Sequence, residues 1–161
     1  MVKRSRTRVY AALVFMFLIG ASPARADTFF VATAASDARG GDARHGCDVS
    51  HRGGPPGFVR VEREGGASVL RWPEYRGNFM FNTLGNLASN PRAGLLFMDF
   101  ESGEALLLSG TTTVVCDSPL VKSFGAERAL RFGPEVGVWV PAAAALRWSA
   151  PVPPRQAGGA S

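Results

Sequence analysis

The sequence predicts a mainly β (α+β) protein with one short helix in its middle, closed or nearly closed into a small barrel. Three observations lead there. Short runs of β-branched, aromatic and aliphatic residues recur along the chain, separated by turns rich in Gly and Pro. The 19 Gly and 11 Pro among 161 residues are more than a helical bundle tolerates. Strands do not alternate with long helices as in βαβ units, which argues against a Rossmann-type nucleotide fold. With 46% hydrophobic and 19% charged residues, a chain of this length encloses one core.

The first 26 residues stand apart. Lys3–Arg8 (KRSRTR) is positively charged, Val9–Gly20 (VYAALVFMFLIG) is a 12-residue apolar run, and Ala24-Arg25-Ala26 has the A-x-A form of a cleavage site. These are the three parts of a secretory signal peptide in order, so residues 1–26 predict export to the periplasm or medium. The run falls short of the ~20 residues a spanning helix needs, so no stable membrane anchor is expected. The competing reading is a misplaced start, with the run as a core helix of a cytoplasmic protein. The charge follows the same division. Five of the 18 basic residues lie in positions 1–26, leaving 13 basic against 13 acidic residues in 27–161. A body of zero net charge has no footprint for nucleic acid.

Within the body, Thr28–Ala34 (TFFVATA) reads as a buried strand and residues 36–46 as a polar loop. Cys47–His51 is a short strand, and Arg52–Gly57 (RGGPPG) is too rich in Gly and Pro for regular structure. Phe58–Glu62 and Ser68–Trp72 form a hairpin across Glu64-Gly65-Gly66. In Asn78–Asn90, Met80, Leu84 and Leu87 give one apolar helical face, and Pro91 stops the helix. Ala93–Phe100 and Glu104–Cys116 are strands around the turn Glu101-Ser102-Gly103, and Arg128–Phe132 and Glu135–Val140 are two more. The domain runs over 27–149, and 150–161 (APVPPRQAGGAS) is a flexible Pro/Gly-rich tail.

Three blocks carry a resemblance: TFFVATA (Thr28–Ala34), DVSHRGGPPGFV (Asp48–Val59) and YRGNFMFNTLGNLASNPRAGLLFMDF (Tyr75–Phe100). Together with LLLSGTTTVV and LRWS they resemble the pyridoxamine 5′-phosphate oxidase-like split-barrel flavoproteins, within a branch of small uncharacterised members. The resemblance implies a six-stranded split β-barrel with one or two short helices, here preceded by the signal-like segment. It also implies a homodimer with FMN in a groove at the dimer interface. The family's usual helix before TFF is replaced by that signal-like segment. Soon after Arg147-Trp148-Ser149 the chain enters its tail, without the C-terminal segment that helps true pyridoxamine-phosphate oxidases bind substrate. Oxidation of vitamin B6 vitamers is therefore not expected.

The residues supply the matching chemistry. A phosphate is held by backbone N–H groups, hydroxyls and cations, and a helix N-terminus presents the first of these. Tyr75, Arg76, Gly77 and Asn78 precede the helix, with Asn82 and Thr83 in it; the resemblance places the ribityl phosphate there. Read without it, Asn78 is first a helix cap and Arg76 a solvated side chain. Ser50, His51, Arg52 and Gly53 lead into the RGGPPG loop, which the resemblance sets beside the isoalloxazine ring. Arg52 or His51 there would stabilise negative charge at the ring's pyrimidine end; the plain alternative is a Gly/Pro turn with a surface arginine.

Other chemistries find less support. His45, Cys47 and His51 would share a strand face, but they lack a fourth ligand and a known metal spacing, so no metal is predicted. Cys47 and Cys116 are either a disulfide or two buried thiols. No G-x-S-x-G or triad pattern is present. The expectation is an FMN-binding, dimeric oxidoreductase exchanging electrons with a small-molecule donor or acceptor. The alternatives are a non-catalytic flavin- or haem-binding module and an exported β-barrel that has lost its cofactor.

Overall fold

The computed structural model describes residues 22–36, 38, 46–75, 81–117 and 119–141. The apolar run at 9–20, His45, Arg76, Gly77, Asn78, Met80 and the tail lie outside them. Seven strands, β1 (Thr28–Ala34), β2 (Cys47–Gly53), β3 (Arg60–Glu64), β4 (Ala67–Glu74), β5 (Arg92–Met98), β6 (Ala105–Val115) and β7 (Arg128–Val140), form one sheet. Its order is β2-β1-β5-β6-β7-β4-β3, with antiparallel pairing throughout. Helix α1 (Asn82–Ser89) packs on β1 and β2, and helix α2 (Pro119–Phe124) packs on β4 and β7. Among the described residues, the mainly β architecture with two short helices matches the expectation, with one strand more than the six implied.

The sheet is curled, and its core shows this. Phe29 on β1 meets Trp72 on β4 edge-on, with ring centroids 5.2 Å apart, although β1 is second in the sheet and β4 sixth. Four flat strand spacings would separate them by roughly 19 Å. Phe29 also stacks on Phe97 at 4.9 Å and on Phe58 at 5.9 Å. The inward residues alternate as the strand period requires: Phe29, Val31 and Thr33 on β1, Ala93, Leu95 and Phe97 on β5, and Leu106 and Leu108 on β6.

Some boundaries differ from the sequence-based expectation. β2 continues through Arg52 and Gly53, because both residues pair with β1. Phe58 and Val59 lie outside the strand and are buried, so the loop folds inward to fill the barrel. β3 and β4 meet at Gly65 and Gly66, whose φ values of 55° and 84° suit the tight turn expected there. The two predicted strands at 128–132 and 135–140 are one strand, β7. Its Gly133-Pro134 is accommodated for two reasons. β4 pairs with β7 only as far as Phe132, so Pro134 faces no partner on that side. On the other side the register with β6 shifts between Ser109 and Gly110. A Cβ on Gly110 would lie 2.1 Å from the Gly133 carbonyl oxygen, so glycine is required there.

The central helix is shorter at its start than the predicted 78–90. Leu87 is buried and Leu84 packs on the core, as the periodicity indicated, while Thr83 is buried on the same side. Helix α2 has no counterpart in the sequence-based expectation, although Asp117-Ser118-Pro119 is a helix-start pattern.

Candidate functional site

The alternation of β2 sends Asp48, Ser50 and Arg52 to the face turned toward α1 and β4, and Val49, His51 and Gly53 to the other. The inward three join a continuous chain. Arg52 Nε donates to Glu74 Oε2 at 3.0 Å and its Nη1 donates to Ser50 Oγ at 3.0 Å. Ser50 Oγ lies 2.9 Å from Thr83 Oγ1, which donates to Asp48 Oδ2 at 2.8 Å. With Thr83 donating to Asp48 and Ser50 accepting from Arg52, the remaining hydrogen bond runs from Ser50 to Thr83. The head of α1 is thereby tied to β2. Farther along the helix, Asn86 Nδ2 donates to Thr33 Oγ1 at 3.2 Å and Asn90 Nδ2 to the Ala34 carbonyl at 3.0 Å.

Of the residues singled out from sequence, Ser50, Arg52 and Thr83 are therefore in direct contact. Asn82 is exposed at the first turn of α1, and Tyr75, where β4 has just ended, has its hydroxyl pKa raised by burial. Arg76, Gly77 and Asn78 lie outside the described residues. His51 is exposed on the opposite face and its imidazole covers Gly53, where a Cβ would come 3.2 Å from Nε2. The sequence reading missed Asp48 and Glu74, the two carboxylates that hold Thr83 and Arg52. The i, i+2, i+4 spacing of Asp48, Ser50 and Arg52 was the signal for the first. Nothing in sequence brings Glu74 to Arg52.

Because Ser50 and Thr83 spend their hydroxyl protons within the junction, the groups left to meet a phosphate or an electron-rich ring edge are the Arg52 guanidinium and the first backbone N–H groups of α1. Among the described residues no group of three or more His, Cys, Asp or Glu could hold a metal ion. Cys47 and Cys116 are unpaired and exposed, so neither a disulfide nor a buried thiol describes them. No described helix is long and apolar enough to cross a membrane.

A second network lies on the strands β3, β4 and β7. Glu64 accepts from Arg131 Nε at 2.9 Å and Nη2 at 2.7 Å, and also from Arg71. Those hydrogen bonds lower the Glu64 pKa below the usual carboxylate value. Arg71 and Arg131 are directly opposed in the β4–β7 register, where two like charges would repel without the shared carboxylate.

No family model matches the chain, and no curated protein matches it. Solved structures do. A candidate pyridoxamine 5′-phosphate oxidase from Lactobacillus delbrueckii superposes with a TM-score of 0.51 at 17% identity, covering 85% of this chain and 98% of that one. This chain has the pyridoxamine 5′-phosphate oxidase-like split-barrel fold. HupZ from Group A Streptococcus gives a TM-score of 0.50 at 14% identity over 71% of this chain and 86% of that one. DIP1874 from Corynebacterium diphtheriae, a conserved protein of unknown function, gives 0.50 at 11% identity over 83% and 94%. At these identities the likeness extends to the split barrel itself.

Proposed function

We propose that this chain is an FMN-binding flavoprotein that works as a homodimer and as an oxidoreductase with a small-molecule electron donor or acceptor. The observation that carries the reading is the Ser50–Thr83 contact, which unites two blocks far apart in sequence into one polar junction. Ser50, Arg52, Tyr75, Asn82 and Thr83 would hold the cofactor, together with Arg76, Gly77 and Asn78. β2 is an edge strand, so a ligand lying along its free edge meets both faces; His51 and Gly53 would then touch it from the other side. FMN supplies the electron-transfer chemistry when bound, and the side chains named here grip and orient it. Glu74 and Asp48 keep Arg52 and Thr83 in place before the ligand arrives.

The homodimer reading is supported by the outward face of the sheet. Phe30, Leu96, Leu107 and Val138 are register neighbours across four strands, and Val49, Leu107 and Val136 on the same face are exposed. A contiguous apolar face of this kind is what an interface between copies would bury. The signal-like segment leaves export as part of the proposal, with cytoplasmic residence as its rival.

Two experiments test the reading. Purified full-length chain incubated with FMN and desalted should retain the flavin, and Arg52→Met with Thr83→Ala should weaken that retention about tenfold or more, through loss of charge-assisted and hydroxyl contacts. A wild-type protein that is folded yet colourless would favour the cofactor-free alternative. Retained flavin that nicotinamide cofactors cannot reduce would favour a binding module.

A further inference from the structure

The residues that form the A-x-A pattern are folded into the barrel. Ser22 to Ala26 make one tight turn, in which the Ser22 carbonyl accepts from the Arg25 N–H at 3.0 Å and the Ala26 N–H at 3.1 Å. Ser22 and Pro23 are buried, while Arg25 beside them is exposed. The ends of a domain are poorly ordered unless they are tied down, and this turn is tied in several places.

Ala26 packs against the core cluster that holds Phe29 and Phe58. The Asp27 carbonyl accepts from the Gly54 N–H at 2.9 Å, and the Ala24 carbonyl lies 3.7 Å from where a Cβ on Gly57 would stand. The turn therefore rests on the loop between β2 and β3. Burial acts to raise the Asp99 carboxyl, but hydrogen bonds from Glu101 and Ser102 and the positive charge of Arg25 leave it below the usual carboxylate value. Arg25 thus sits near the turn that follows β5. These contacts lie at one end of the barrel, where β1 begins and its antiparallel neighbours β2 and β5 end.

Cleavage after Ala26 would remove this turn, with the Ala26 contact to the core and the Ala24 contact to the loop. The small residues at 24 and 26 also suit a turn packed closely against core and loop, so their size has a structural explanation. We propose that Ser22–Ala26 is a permanent element of the working protein, closing this end of the barrel, and that the bond between Ala26 and Asp27 is not a processing site. The barrel then begins at Ser22, and the chain keeps its apolar run unless it is cut before that residue. The inference concerns the export part of the proposed function and is independent of flavin.

The test is hydrogen–deuterium exchange of the folded full chain, together with the intact mass of that chain recovered from an exporting bacterial host. The amides of Arg25, Ala26 and Gly54 should exchange about tenfold or more slowly than in an unstructured peptide. Ala26→Glu, which sets a charge against the core, should lower Tm by about 3 °C or more. Every folded species recovered should retain residues 22–26. Exchange of 22–27 at the unstructured rate, an unchanged Tm in Ala26→Glu, or a folded species beginning at Asp27 would overturn the proposal. The exchange measurement uses the unaltered chain, so it decides the matter even if Ala26→Glu fails to fold.

Discussion

Arg52 and Glu74 form a 3.0 Å ion pair, with side-chain exposures of 19% and 16%, between the first and the sixth strand of one sheet. Strands that never hydrogen-bond to each other are thus joined by their side chains, and the pair fastens the curl that the Phe29–Trp72 contact begins. The same guanidinium reaches Ser50, so the fastening of the barrel and the polar junction share one residue.

Breaking this pair from one side should therefore cost more than removing it whole. Arg52→Met leaves a half-buried carboxylate and Glu74→Met a half-buried cation, each destabilising by about 1–3 kcal/mol. The double variant should recover part of that loss. Urea denaturation of the four proteins checks it; strictly additive losses would mean that the pair is not coupled.

The aromatic centre should be the most sensitive point of the core. Phe29 is fully buried and meets Phe58, Trp72 and Phe97. Phe29→Ala should cost about 3–5 kcal/mol, a large share of the stability of a single domain. Thermal unfolding followed by near-ultraviolet circular dichroism reads both the loss of stability and the loss of aromatic packing.

Glu64 makes stability depend on pH in a defined direction. Its hydrogen bonds from Arg131 and Arg71 lower its folded pKa below the unfolded value near 4.5. The stability it contributes is then fully present above that unfolded value and is lost as pH falls through the folded one. Glu64→Gln should lower the melting temperature at neutral pH, and the gap to wild type should narrow on acidification. A gap independent of pH would show that the carboxylate's charge is not what the two arginines use.

The outward apolar face gives a prediction about assembly. Leu107→Lys and Val136→Lys place charge on two exposed positions of that face, with little consequence for a lone copy. Sedimentation should show a dimer for wild type and a monomer for the double variant. A dimer that survives both changes would locate the interface elsewhere.

Much of this was legible in the sequence because it is local. Thr28–Ala34, the turn at Gly65-Gly66 and the stop at Pro91 are written in strand period, turn chemistry and proline placement. Residues 128–140 read as two strands because Gly133-Pro134 looks like a break. The register shift of β6 that absorbs it belongs to a partner strand and leaves no mark on β7. The site followed the same division. Ser50, Arg52 and Thr83 were found by residue type and by resemblance. Their split from His51 and Gly53 follows from strand alternation once β2 is known to continue through Gly53. Glu74 was invisible, since only the curl of the sheet brings it to Arg52.

The most direct test of the central claim is the visible absorption spectrum of the full chain after incubation with FMN and desalting. A flavin band retained in stoichiometric amount, and diminished in Arg52→Met and Thr83→Ala, is the predicted result. A folded protein that leaves the column colourless would contradict it.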